Sequence, residues 1–200
     1  MTEQPVQHPA RRVGLKLLAR PQERAVDLSA VLELFHGWIQ RGALASTEPL
    51  LIDVVDYRHL QTGPKVMLVA HRGHYALDDS GGELGLLYQA KRDEPEQFER
   101  RLQHALVSLL EAAALLQEEA SLVWRGDALR VRLSDRLHAP NSEQTHGRVE
   151  AALARLGAQL FGDGVKIRRA NTDDRCCYEA ELTAGAELPL PTLLERARAL

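Results

Sequence analysis

The stretch Leu50–Asp79, LLIDVVDYRHLQTGPKVMLVAHRGHYALDD, decides how this chain is read. Leu51, Asp53, Val55 and Tyr57 alternate with Ile52, Val54 and Asp56, which is the period of a strand. Gln61-Thr62-Gly63-Pro64 supplies the residues a reversal requires, and a second apolar run extends from Val66 to about Ala76. Asp78-Asp79-Ser80-Gly81-Gly82 leads into a third, Glu83 to Ala90. Short turns between such runs make antiparallel neighbours, so the stretch opens a meander.

Either side of it the period changes. Val13, Leu15 and Leu17 alternate against Lys16 and Arg20, as in a strand with one buried and one wet face. Leu28, Val31, Leu32, Phe35, Trp38 and Ile39 recur at helical steps, with Asp27 or Ser29 as cap, Gly42 at the far end and Trp38 in the core. Phe98, Leu102, Leu106, Leu109 and Leu116 mark a long helix entered through Asp93 and Pro95.

The second half reads as a hairpin over residues 121–137 turning at Gly126-Asp127, then a helix from Asn141 or Ser142 to Gly162. Strands at 165–173 and 176–184 and a helix begun near Pro191 complete it. Strand, helix, hairpin, helix thus occurs in 13–120 and again in 121–200, as an order of elements rather than of residues. The expectation is a single α+β domain over residues 13–200, a mainly antiparallel sheet with helices packed on one face, preceded by a polar lead-in, residues 1–12.

Composition narrows the function. The chain is 44% hydrophobic and 26% charged, as in an ordinary soluble protein. No run of eighteen apolar residues offers a membrane span, and the N-terminal stretch lacks the apolar core of a secretory leader, so a cytoplasmic protein is expected. The net charge of −3 and the 4% aromatic content argue against nucleic acid. Residues 1–120 hold 13 Lys+Arg against 17 Asp+Glu, and residues 121–200 hold 12 against 11, so the second half is slightly basic. Cys176 and Cys177 are adjacent and on a strand would face opposite ways, one buried and one exposed; neither their spacing nor the histidines fit a zinc site, and no metal is expected.

Chemistry could sit in two places. If the turn centres near residue 62, Asp53 falls opposite His71 and Tyr57 opposite Met67. Asp53, Asp56, His59 and His71 are then candidates for a hydrolase, with or without a divalent metal, or are the polar trim of a hairpin. Ser80 has no nucleophile-elbow frame, and Gly81-Gly82-Glu83-Leu84-Gly85 lacks the lysine of a phosphate loop, so no cofactor is expected.

The second place is more orderly. Arg130 and Arg132 alternate with Leu129, Val131 and Leu133, and Lys166 and Arg168 with Val165 and Ile167. Both strands bury the aliphatic row and present a cationic one, which Lys16 extends if all three share a sheet. The favoured expectation is therefore a non-enzymatic binding or accessory protein whose open sheet face takes an anionic ligand or acidic partner through Arg130, Arg132, Lys166 and Arg168. A solvated row balanced by Glu179 and Glu181, and a homodimer in which two open faces cover each other, are the competing expectations.

Overall fold

The computed structural model describes residues 10–23, 25–91 and 95–200. In chain order the elements are β1 (Val13–Leu18), α1 (Leu28–Arg41), β2 (Leu51–Asp56), β3 (Pro64–Ala70), β4 (Gly73–Asp78) and β5 (Gly85–Ala90). There follow α2 (Phe98–Ala120), β6 (Ala128–Leu133), α3 (Glu143–Phe161), β7 (Lys166–Arg169), β8 (Tyr178–Thr183) and α4 (Leu190–Ala199). The eight strands form one antiparallel sheet in the order β2-β3-β4-β5-β1-β6-β8-β7. The fold is α+β.

The order explains the repeated pattern. β1 and β6 lie side by side at the centre, and from each the sheet runs outward through the last strand of its own half: β1-β5-β4-β3-β2 on one side, β6-β8-β7 on the other. The seam is the β1–β6 pair, where Leu15 sits opposite Val131 and Lys16 opposite Arg130. The first half carries a four-stranded meander where the second has a hairpin.

The helices lie on one side of the sheet: α1, α2 and α3 pack on its strands, and α4 packs on α2 and α3. Phe35 and Trp38 of α1, Leu106 and Leu109 of α2, Leu153 of α3 and Leu193 of α4 form one buried cluster with Leu15, Leu17, Leu68, Leu77, Leu86, Val131 and Leu182. Burying one such side chain contributes roughly 1.5–3 kcal/mol, so this shared layer dominates the stability. The helix ends follow local rules: Asp27 accepts hydrogen bonds from the amides of Ser29 and Ala30, Gly42 is left-handed at φ 63°, and Ser142 accepts from Thr145 N. Pro95 lies before α2, with Gln97 at its cap position; the expected Asp93 cap is outside the described residues.

Several expectations need correction. The run from Val66 to Ala76 is two strands, β3 and β4, reversing at His71-Arg72. That turn contains no residue of positive φ. Its amides are held from elsewhere: His71 N donates to Leu50 O at 2.9 Å, and Arg72 N to the Glu48 carboxylate at 2.8 Å. Asp53 consequently pairs with Val69, not His71, and Val55 with Met67, after a bulge between Leu51 and Asp53. Residues 121–137 contain only β6; Val123 and Arg125 instead bond to Arg20 and Leu18 at the end of β1, and Trp124 Nε1 reaches Ala113 O in α2. Cys176 and Cys177 precede β8, the first exposed and the second half-buried, because β8 begins at Tyr178. Of the lead-in, residues 1–9 lie outside the described residues, whereas Ala10 is buried and its carbonyl accepts from Arg101.

Lys16 also departs from its expected wet position. It is only 4% exposed on the helix-free face, where its ammonium meets Asp78 at 2.8 Å and Ser80 O at 2.9 Å. The contact crosses β5 at Gly85, where a Cβ would stand 2.9 Å from Lys16 Cε and 2.5 Å from Leu17 O. Burial pushes the Lys16 pKa below its ordinary value while Asp78 holds it up; burial would raise Asp78, but its bonds from Lys16 and Ser80 outweigh that. We expect Lys16→Met to cost about 3–5 kcal/mol in denaturant unfolding, because Asp78 keeps its Ser80 hydrogen bonds but becomes a buried charge without its ammonium partner. Adding Asp78→Leu is expected to restore most of that loss.

Candidate functional site

The four residues of the first candidate set are dispersed and exposed. Asp53 Oδ1 accepts from Val54 N at 2.8 Å. Tyr57 N bonds inward to Lys65 O, so alternation turns the amides of Val54 and Asp56 outward on this edge strand, and Asp53 occupies one of them. Asp56 is chelated by Arg58 at 2.6 Å, and these hydrogen bonds hold its pKa down at about 2. Arg58 also donates to Ser29 Oγ at the start of α1. His59 lies in the β2–β3 turn and His71 in the β3–β4 turn, both exposed. Among the described residues no group of three His, Cys, Asp or Glu is arranged to hold a metal.

The cationic row lies where the alternation put it, on the face away from the helices. The register then sets carboxylates opposite it: Arg130 faces Glu181, Arg132 faces Glu179 and Arg168 faces Glu181. Arg130 Nε meets Glu181 at 2.8 Å and its Nη2 meets Glu83; Arg132 bonds Glu179, and Arg168 reaches Glu181 at 3.2 Å. Burial disfavours the charge of Arg130, but Glu181 and Glu83 outweigh it and hold its pKa above the ordinary value. Lys166 is the member of the set without an ion pair among the described residues.

A third cluster, beneath the β3–β4 turn, was not anticipated. Glu48, 2% exposed, receives Arg72 N on Oε1, and its Oε2 is buried with no hydrogen-bond partner among the described residues. Burial raises its pKa, opposed by Arg72. The Arg72 guanidinium meets His104 Nε2 at 3.2 Å, and His104 Nδ1 meets Ser108 Oγ at 3.3 Å. Arginine can only donate, so Nε2 must be the acceptor and the ring proton sits on Nδ1, directed at Ser108. His104 therefore cannot take a proton from Ser108, and the pair is not an activated nucleophile. Burial, then Arg72, lowers the His104 pKa and keeps the ring neutral. Tyr75 and Tyr88, buried beside Ser108, have hydroxyl pKa values pushed well up by burial.

Above this cluster a cleft of about 730 Å³ opens between α2 and α3, bounded by the Arg72 turn and the end of α4. Arg72, Arg100, Arg155, Arg198 and His104 line it, against Glu99 as the acidic lining residue. Arg155 pairs with Glu99 at 2.8 Å and Arg198 with Glu111 at 2.8 Å. Glu111 is also held by Ser46 and Thr47. Arg72 and Arg100 have no carboxylate within ion-pair distance among the described residues. A volume of this size and mixed lining are what small-molecule sites have.

The pH response of His104 follows from its depressed pKa. The unfolded chain binds the proton first, so this histidine's contribution to stability is present above about pH 6.5 and is lost as pH falls toward its lowered folded value. His74, also lowered by burial, acts in the same direction, and Glu48, raised by burial, acts in the opposite one. A difference measurement isolates His104. The thermal midpoint of the unsubstituted protein minus that of His104→Gln is expected to shrink as pH is lowered from 7.5 to 5.5; a constant difference would show that the ring is not held neutral.

A scan against protein-family models finds no match for this chain, and a search of curated proteins finds no significant relative.

Proposed function

We propose that this protein is a soluble, cytoplasmic binding protein without catalytic turnover, and that its ligand is a small anion held in the cleft between α2 and α3. The supporting observation is a contrast in pairing. On the sheet face Arg130, Arg132 and Arg168 each meet a carboxylate, whereas at the cleft Arg72 and Arg100 meet none among the described residues. A guanidinium already forked onto glutamate must surrender that contact to hold a ligand, while an unpaired one at a concave mouth gains a partner on binding. This reading retains an anionic ligand and proposes the cleft for it in place of the sheet face.

The other expectations have less behind them. Asp53, Asp56, His59 and His71 are exposed and do not line the cleft, and the His104 ring proton is directed at Ser108, so the hydrolase reading has less support among the described residues. A homodimer through the helix-free face would want exposed apolar surface there. The large exposed apolar residues, Leu50, Ile52, Leu60, Val123 and Leu137, instead lie at the β2 edge and in connections. Two unlinked thiols suit a reducing compartment.

Thermal-shift titration with a panel of small carboxylates and phosphates, against neutral isosteres, tests the proposal. A ligand at a hundredfold excess over Kd stabilises by about 2.7 kcal/mol. Arg72→Ala with Arg100→Ala is expected to abolish the shift, and Arg130→Ala with Arg132→Ala to leave the ligand-induced shift intact. The reverse pattern would return the site to the sheet face.

A further inference from the structure

The cleft continues past its arginines. A second chamber of about 480 Å³ adjoins the first, sharing Arg72, Pro95 and His104 with it. Its remaining wall includes Tyr88, Ala90 and Ala105, and it is the short side chains of the two alanines that leave the room. At the junction the Arg72 guanidinium, which meets no carboxylate within ion-pair distance among the described residues, lies beside the His104 imidazole, whose Nε2 accepts from it. Glu96 and Arg101 also line the chamber, and the Arg101 guanidinium donates to the carbonyls of Ala10, Pro95 and Glu96. An inorganic anion would fill only a fraction of this space and leave the apolar wall hydrated.

Resting on the reading of the cleft as an anion site, we propose that the ligand class is an amphiphilic monocarboxylate. Its carboxylate is held by Arg72 at the junction, and its apolar body enters the inner chamber against Tyr88, Ala90 and Ala105. A carboxylate matches the guanidinium fork of Arg72, and an apolar body suits the wall formed by Tyr88, Ala90 and Ala105. Ala90, half-buried at the end of β5, sets the depth available to the body.

Isothermal titration with straight-chain carboxylates from acetate to dodecanoate, kept below micellar concentrations, tests this. Affinity is expected to rise roughly fourfold per methylene until the inner chamber is full, and then level off. Ala90→Leu is expected to leave acetate binding unchanged and to bring the plateau to a shorter chain. Arg72→Gln is expected to weaken every member of the series about tenfold or more, with circular dichroism confirming that both variants fold. Affinity that is flat from acetate to octanoate, or unaffected by Ala90→Leu at every length, would overturn the amphiphile while leaving the anion site standing. Binding of inorganic phosphate but of no carboxylate would likewise overturn the amphiphile alone; binding of neither, or equal binding of the alkanol of the same length, would overturn both.

Discussion

A sheet covered on one side only must solve the other side by itself, and here it does so with charge. The aliphatic row of every central strand is committed to the helix layer, which forces Lys16, Arg130 and Arg132 onto the opposite face. Lys16 sits in the middle of that face with Arg130 across the β1–β6 seam, two cations that would repel without compensation. Asp78 answers the first across β5, and Glu181 and Glu83 answer the second. The result is a lattice of cross-strand pairs running from β4 to β7. It closes the sheet electrostatically where no helix closes it sterically, and it lets the two halves meet at their first strands.

Glu48 does comparable work beneath the β3–β4 turn, beside the proposed site. Its carboxylate is buried at a cost, yet it supplies the acceptor that the reversal between β3 and β4 lacks locally. That reversal places Arg72, and His104 and Ser108 then orient its guanidinium from below. The chain of contacts from Glu48 to Ser108 explains why an arginine at a hairpin tip is positioned at the mouth of a cleft rather than left to wander in solvent.

What could be read from the residues alone was whatever is local. The spacing of Phe35 and Trp38, the cap at Asp27 and the glycine at 42 announce α1 within a single segment. The alternation of Arg130 and Arg132 with Leu129, Val131 and Leu133 correctly assigns the two faces of β6. Occupancy was not legible in the same way: that Arg130 meets Glu181 depends on the β6–β8 register, which no local pattern states. The turn at His71-Arg72 was missed because its acceptors come from Leu50 and Glu48 rather than from a glycine or asparagine in the turn. The cleft left even less trace. Arg72, Ala90, His104 and Arg155 belong to four separate segments and converge only once the helices have packed. The one available hint was His104, a polar residue one step from the apolar stripe of α2.

The most direct measurement is a titration of the isotopically labelled protein with octanoate, followed by amide and histidine side-chain resonances. The expected result is a set of shifts confined to Arg72, Gly73, Tyr88, Ala90 and the His104 ring, with Arg130, Arg132, Arg168, Glu179 and Glu181 unmoved. Shifts running along β6 and β8 with the Arg72 turn silent would contradict it, and would mean that the carboxylates of the sheet face yield their arginines to a ligand after all.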